Sequence, residues 1–278
     1  MNDKTVLITG ATSGIGEIAA RELVRQGFHV LIHGRSAERG QQTLDRIVAA
    51  VPGAKVELLL ADLFVQAEVV RLAELVRQRT ERLDVLLNNA GAYFDTFAET
   101  PDGIERTWAL NHLAPFLLTR ELEPLLKASA PARVVTVSSG AHNGPQIVWD
   151  DVQGRKRYSG WNAYQQSKLA NILFSNELAR RLAGSATSNA LHPGFVATGF
   201  GHNNSGMMAW VLKLVQRLAL SPEAGAQTSV YLASSPDVTA VTGGYFEKSR
   251  QKTPSPQARD ADAARRLWGL SETMIKGG

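Results

Sequence analysis

The chain of 278 residues has no cysteine. That excludes a disulfide framework, a thiolate zinc or iron–sulfur centre and a cysteine nucleophile, and it suits a reducing compartment as well as an oxidising one. Nor is there an uninterrupted apolar run of about eighteen residues, the length a spanning helix requires. The start runs straight into the strand-like Val6-Leu7-Ile8 without the charged and apolar regions of a signal peptide, so neither a signal peptide nor a membrane span is expected, and a cytoplasmic location is. Charge of one sign is also in short supply: 30 basic against 26 acidic residues leave +4, and Arg155-Lys156-Arg157 is the only tight basic cluster. Nucleic acid, which needs a basic stripe, is not an expected partner. His33, His112, His142, His192 and His202 form no pair at metal-ligand spacing on one helix, so no metal is expected. No internal repeat or Pro/Ser-rich linker divides the chain, and one domain over 1–278 is the simplest organisation.

What is present is ordinary globular composition, 44% hydrophobic and 20% charged, arranged as alternating strand and helix patterns. Short β-rich runs occur at 6–9, 28–32, 56–60, 85–87, 134–137 and 189–191. They are continuously apolar, as strands buried on both faces are. Between them lie amphipathic helices with Ile15, Ala19 and Leu23 on the first, Leu44, Ile47, Val48 and Val51 on the second, and Val69, Leu72, Leu75 and Val76 on the third. This predicts an α/β fold: one doubly wound Rossmann domain with a parallel sheet of about seven strands flanked by helices. Two segments break the rhythm. Residues 195–221 join a Gly/Asn/Ser-rich opening (199–206) to an apolar helix (207–220), the composition of a lid over a greasy substrate. Residues 248–278 form a basic, Pro-containing extension, helical over about 258–268.

The first chemical motif is Thr9-Gly10-Ala11-Thr12-Ser13-Gly14-Ile15-Gly16, between the first strand and the first helix. Glycines there let the backbone turn tightly and approach a pyrophosphate, whose charge sits on the free N–H groups of the helix N-terminus. The spacing departs from Gly-x-Gly-x-x-Gly, and glycines in such a turn can also be purely structural. The second strand ends at His33-Gly34-Arg35, where an NAD-binding unit would carry an acid for the ribose 2′-hydroxyl. Gly34 removes conflict with a 2′-phosphate and Arg35 offers it a planar cation, which favours NADP(H) over NAD(H); the alternative is a surface arginine in a turn. Asp62-Leu63 and Asn88-Asn89-Ala90-Gly91 follow the third and fourth strands, at the sheet edge where open α/β folds bind ligands.

Ser138 and Ser139 follow the fifth strand, and Tyr164-Gln165-Gln166-Ser167-Lys168 lies on a later helix. Residues i and i+4 share a helix face, so the Lys168 ammonium can approach the Tyr164 hydroxyl. A neighbouring cation stabilises the phenolate and draws the tyrosine pKa, ordinarily about 10, toward neutrality. Tyrosine then becomes a usable acid/base.

In this order, the glycine motif, Asp62, Asn88-Asn89-Ala90-Gly91, Asn111, Ser139, Tyr164-x-x-x-Lys168 and Pro193-Gly194 resemble the short-chain dehydrogenase/reductase family over about residues 4–247. Within it the chain is most similar to the retinol dehydrogenase-like and WW-domain-oxidoreductase-like branch, through 111–119, 167–171, 221–228, 254–268 and the 25-residue step from Ser139 to Tyr164. The resemblance implies catalytic roles for Asn111, Ser139, Tyr164 and Lys168. Tyr164 would give a proton to a carbonyl oxygen that Ser139 hydrogen-bonds, Lys168 would tune Tyr164 and hold the nicotinamide ribose, and Asn111 would hold a water of the proton relay. It implies cofactor contacts from Gly10, Ser13, Gly14, Ile15, Gly16, Arg35, Asp62, Leu63, Asn89, Ala90, Gly91, Tyr164 and Lys168. Pro193, Gly194, Val196 and Thr198 would contact the nicotinamide carboxamide. Members of that branch often begin with a membrane anchor, which is not expected here.

The expected activity is NADP(H)-dependent interconversion of a lipophilic aldehyde or ketone and its alcohol. A dinucleotide-binding regulatory protein without chemistry is the alternative, and it would have no use for Ser139, Tyr164 and Lys168 together. A peripheral membrane or lipid-transfer role would draw on the apolar 207–220 stretch. Homo-oligomerisation and the identity of the substrate stay open.

Overall fold

Alternate residues of the central strands serve two different cores, and this pattern sets the architecture. The computed structural model describes residues 4–194 and 221–276. Its strands are β1 (Thr5–Ile8), β2 (His29–Gly34), β3 (Val56–Leu60), β4 (Val85–Asn88), β5 (Ala132–Val137), β6 (Ala186–His192), β7 (Tyr245–Glu247) and β8 (Arg250–Lys252). The helices are α1 (Gly14–Arg25), α2 (Ala37–Ala50), α3 (Gln66–Arg79), the short α4 (Arg106–Trp108), α5 (Ala114–Ala128), α6 (Gly160–Arg181), α7 (Pro222–Ser234) and α8 (Ala261–Lys276). Leu7, Leu31, Leu86 and Val134 pack with Leu72 and Val76 of α3, Phe116 of α5 and Phe174 of α6. Their neighbours Val6, Ile8, Val30, Ile32, Val85 and Leu87 pack the other way, with Ala19 and Leu23 of α1, Ile47 of α2 and Leu232 of α7. Burial on both faces is why these strands read as continuous apolar runs.

The strand order is β3-β2-β1-β4-β5-β6-β7-β8. The first seven strands run parallel, and β8 runs antiparallel to β7. The chain leaves β1 toward one side and resumes at β4 on the other, so the carboxyl ends of β1 and β4 border the topological switch point. The expected fold class is found, with one strand more than the predicted count. The extra strand comes from a two-residue hairpin at Lys248 and Ser249, whose φ angles of 51° and 57° are both left-handed. Such a turn normally advertises itself with Asn or Gly, and these residues gave no such signal.

Three further details depart from the expected pattern. Val48, counted in the apolar stripe of α2, is 42% exposed. The polar run before Asn189 is itself β6: Ser188 is buried against Ser175 through a 2.9 Å hydroxyl contact, and Asn189 Nδ2 donates to the Val241 carbonyl at 2.6 Å. A buried strand tolerates Ser188 and Asn189 because both side chains find partners. The C-terminal helix begins later than expected and runs on to Lys276, burying Trp268 against Phe116 and Phe174 with ring centroids 4.9 and 6.0 Å apart. The expected lid, 195–221, lies outside the described residues except Ser221, which caps α7 by accepting from the Ala224 N–H. Among the described residues no helix is long and apolar enough to cross a membrane.

Candidate active site

At the switch point the backbone is stitched together before any ligand is considered. Thr9 Oγ1 accepts from the amides of Asn89 and Ala90 at 3.0 and 3.1 Å, and Asn89 Nδ2 donates to the carbonyls of Thr9 and Gly10 at 2.8 and 3.1 Å. Gly10 and Gly14 have φ of +63° and +56°, a region L side chains rarely adopt. A Cβ on Gly10 would lie 2.9 Å from Ala90 Cα, and one on Gly16 would lie 2.5 Å from the Gly10 carbonyl and 2.6 Å from Asn89 Nδ2. Ser13, at the head of α1, makes no side-chain cap. The first amides of the helix are therefore left for a ligand, as an anion site requires.

His33, which the sequence singles out for no role at the site, takes part in this scaffold. The Gly10 N–H donates to its Nδ1 at 3.2 Å, and its Nε2 lies 3.1 Å from the Ala61 carbonyl. An amide can only donate and a carbonyl only accept, so the ring is the neutral Nε2–H tautomer. Burial lowers its pKa to about 4, outweighing the Ala61 bond and the Asp62 charge. The ring thus ties the glycine loop to the end of β3. Strand periodicity marks it as buried but says nothing of which atoms it meets.

Gly34 has a steric reason to be glycine in addition to the electrostatic one: a Cβ there would lie 2.3 Å from Thr12 Cγ2. The Arg35 side chain is 58% exposed, 4.0 Å from the Asp62 carboxylate and 5.7 Å from the Phe64 ring. Arg106, which the motifs do not indicate, lies 5.3 Å from the Phe64 ring and 4.2 Å from the Phe94 ring. Asp62 Oδ1 accepts from the Phe64 amide at 3.1 Å, and the Leu63 side chain is buried in the core.

The other end of the cleft is made of side chains. Asn111 sits in a π-helical turn, Ala109–Leu113, joining α4 to α5. Such turns interrupt the regular ladder, often at functional positions. Its Oδ1 accepts from the Ala92 amide at 2.8 Å, while Nδ2 donates to the Ala92 carbonyl at 2.9 Å and to Ser167 Oγ at 3.0 Å. This binds the loop after β4 to α6. Ser138 donates to the Lys168 carbonyl at 2.7 Å. Ser139 Oγ accepts from the Ala141 amide at 3.1 Å, and its hydroxyl is hydrogen-bonded to Tyr164. Lys168 Nζ donates to the Val137 carbonyl at 3.3 Å and lies 5.5 Å from the centre of the Tyr164 ring. A Cβ on Gly91 would lie 3.2 Å from both Lys168 Nζ and Asn111 Oδ1, so the missing side chain leaves room where the two polar atoms converge.

Tyr164 is buried between Trp161, stacked at 6.0 Å, and Tyr93, edge-on at 6.1 Å. Burial pushes its pKa up to about 12, against the lowering effect of the Ser139 bond. Burial also lowers Lys168 to about 8. Desolvation thus dominates both groups in this structure, raising the phenol and lowering the ammonium, where the spacing alone predicts a tyrosine drawn toward neutrality.

Pro193 and Gly194 follow β6, with Gly194 at φ +85°, and share the carboxyl edge of the sheet with the residues above. Val196 and Thr198 lie outside the described residues. Among the described residues no cluster of three or more His, Asp or Glu could hold a metal. The glycine cradle, the uncapped head of α1 and the space at Gly91 fit a dinucleotide.

A family model described as short chain dehydrogenase matches residues 4–208. Retinol dehydrogenase 14 of Mus musculus is 40% identical over 99% of this chain and 86% of its own length. Retinol dehydrogenase 13 of Homo sapiens is 39% identical over 98% and 84%. Among solved structures, an uncharacterised protein from Mycobacterium paratuberculosis superposes with a TM-score of 0.78 at 36% identity, over 98% of this chain and 93% of that one. A short chain dehydrogenase from Escherichia coli CFT073, complexed with NADPH, gives 0.72 at 26% identity, over 90% and 98%.

Proposed function

Because the chain belongs to the short chain dehydrogenase family, whose hydride transfer interconverts alcohols and carbonyls, we propose that it is an NADP(H)-dependent oxidoreductase of a lipophilic aldehyde or ketone and the corresponding alcohol. The observation that carries this reading is the buried Tyr164 hydrogen-bonded to Ser139 with the Lys168 ammonium beside its ring. When bound, the nicotinamide supplies or accepts the hydride at the carbon that bears the oxygen. Gly10, Ser13, Gly14, Ile15 and Gly16 would hold the pyrophosphate, Arg35, Asp62 and Leu63 the adenosine half, and Asn89, Ala90, Gly91 and Lys168 the nicotinamide ribose. Pro193, Gly194, Val196 and Thr198 would hold the carboxamide.

Tyr164 donates its proton to the carbonyl oxygen, and burial favours its protonated form. The Ser139 hydroxyl, its oxygen already accepting from Ala141, would turn its proton from Tyr164 toward the oxygen where charge develops. Lys168, still protonated at neutral pH, then faces the phenolate. Asn111 keeps the Ala92 loop against α6 and would hold the relay water on its remaining lone pair. Arg35 on the rim, the absence of an acid at 34 and the NADPH-bound Escherichia coli relative support the phosphorylated cofactor. A lipophilic substrate is supported by Trp161, 45% exposed and stacked on Tyr164, and by the retinol dehydrogenase relatives.

The test is oxidation of NADPH and of NADH against a panel of aliphatic, aromatic and isoprenoid aldehydes and ketones. Turnover with NADPH and lipophilic carbonyls is expected. Tight NADPH binding with no turnover across the panel would overturn the catalytic reading in favour of a regulatory one.

A further inference from the structure

Immediately after Ser139 the chain makes a single 3-10 turn, Gly140–His142, and His142 folds back on the residue before it. The Ser139 carbonyl accepts twice from His142, from the ring Nδ1 at 2.7 Å and from the backbone amide at 3.2 Å. The opposite ring nitrogen, Nε2, accepts from the Ser255 amide at 3.3 Å. A carbonyl must be given a proton and an amide must give one, so both partners demand the same species: neutral imidazole with the proton on Nδ1. The ring is buried and packs on Tyr245 with centroids 4.9 Å apart. Burial holds it below the ordinary histidine pKa, with Tyr245 packed against it and His192 the titratable neighbour that interacts with it. Ser255 belongs to the C-terminal segment, far from Ser139 in the chain, and that segment is anchored on α6, where Asn176 Nδ2 donates to the Ala258 carbonyl at 2.8 Å.

We infer that His142 is a positioning residue for Ser139, held in its working tautomer by the Ser255 amide, so that the segment around 254–258 forms part of the catalytic apparatus. The inference rests on the proposed reaction, since Ser139 matters only where a carbonyl or alcohol oxygen meets Tyr164. The physical reason lies in the turn. The hydroxyl of Ser139 is oriented through the Ala141 amide, within the turn that His142 closes. Remove the ring donor and the Ser139 carbonyl keeps the longer bond from the His142 amide, having lost the shorter of its two bonds to His142. A displacement of about 1 Å at a reacting group costs on the order of 100-fold in rate.

Two near-isosteric variants separate the two ends of the ring. Asn places an amide where Nδ1 stands and keeps the donor to the Ser139 carbonyl, but cannot reach Ser255. Gln reaches the Nε2 position and can accept from Ser255, but leaves the Ser139 carbonyl without its ring donor. His142→Asn, which loses only the Ser255 anchor, is expected to lose about threefold to fivefold in kcat, and His142→Gln, which loses the donor to Ser139, about tenfold to 100-fold, with NADPH affinity unchanged in both. Amide hydrogen exchange should accelerate over 138–143 only in His142→Gln, and over 253–258 only in His142→Asn. Equal losses in the two variants, or wild-type kcat in His142→Gln, would overturn the inference. Ring ¹⁵N NMR of the wild-type protein reads the tautomer directly, and an Nε2–H ring would do the same without any variant. If the wild-type protein turns over no carbonyl, the reaction assignment fails by itself, and unaltered exchange over 138–143 in His142→Gln still decides against the link.

Discussion

The two ends of the cleft are built from different materials. Around Gly10, Gly14 and Gly16 the site is backbone, and its tolerances are those of close-packed main chain: the atoms a Cβ at Gly16 would meet are 2.5 and 2.6 Å away. Around Tyr164 the site is side chains, whose properties are those of desolvated acids and bases: a phenol raised to about 12 beside an ammonium lowered to about 8. The first end fails when an atom is added and the second when one is removed. Binding and chemistry should therefore be separable by mutation.

The strongest test of that contrast is Tyr164→Phe. Deleting one oxygen keeps the ring between Trp161 and Tyr93 but removes the transferable proton, so kcat should fall by about 100-fold or more while NADPH affinity, read by fluorescence titration, stays within about threefold. A comparable fall in affinity would dissolve the distinction. Gly16→Ala is the mirror experiment: one added methyl should weaken NADPH and NADH alike by about 1–3 kcal/mol, the usual cost of overpacking. Wild-type affinity in that variant would show that the loop yields where it looks rigid.

Arg35→Ala should act on the phosphorylated cofactor alone. A charge-assisted contact is worth about 1.5–3 kcal/mol, but a side chain 58% exposed is screened by solvent, so a loss of about tenfold in kcat/KM for NADPH with NADH unaffected is expected. Equal loss for both cofactors would place Arg35 away from the 2′-phosphate. Converting the site toward NADH by Gly34→Asp needs Thr12→Ser beside it, because the new Cβ would otherwise meet Thr12 Cγ2 at 2.3 Å.

The smallest effect at neutral pH concerns His33. Its folded pKa, lowered from 6.5 to about 4, means that the unfolded chain takes up a proton which the folded one refuses. Its contribution to stability is therefore complete above about pH 6.5 and is lost as pH falls toward 4. Urea unfolding should show the wild-type protein losing about 1–2 kcal/mol more than His33→Asn between pH 7 and pH 5. Identical slopes would mean that the ring is not held neutral.

Much of this layout is legible in the primary structure because it follows from local rules. Glycines that must turn or approach closely, strands buried on both faces and a Tyr-Lys pair one helical turn apart leave periodic marks. Other features arise from residues distant in the chain. His33 meets Gly10 and Ala61, His142 meets Ser255, Arg106 lies between Phe64 and Phe94, and the hairpin at Lys248 and Ser249 joins an edge strand without turn-forming residues. Nothing within a few positions of these residues announces the contact.

From its amino-acid order alone this protein is a doubly wound α/β domain with a dinucleotide loop, a tyrosine and lysine on one helix face and a serine beyond the fifth strand, since side-chain type and spacing decide those features locally. Only the tertiary structure decided the protonation of the site. Tyr164 stays protonated beside Lys168, and His33 and His142 are neutral in opposite tautomers, because pKa and tautomer depend on which solvent, carbonyl or amide a folded neighbour brings to each atom.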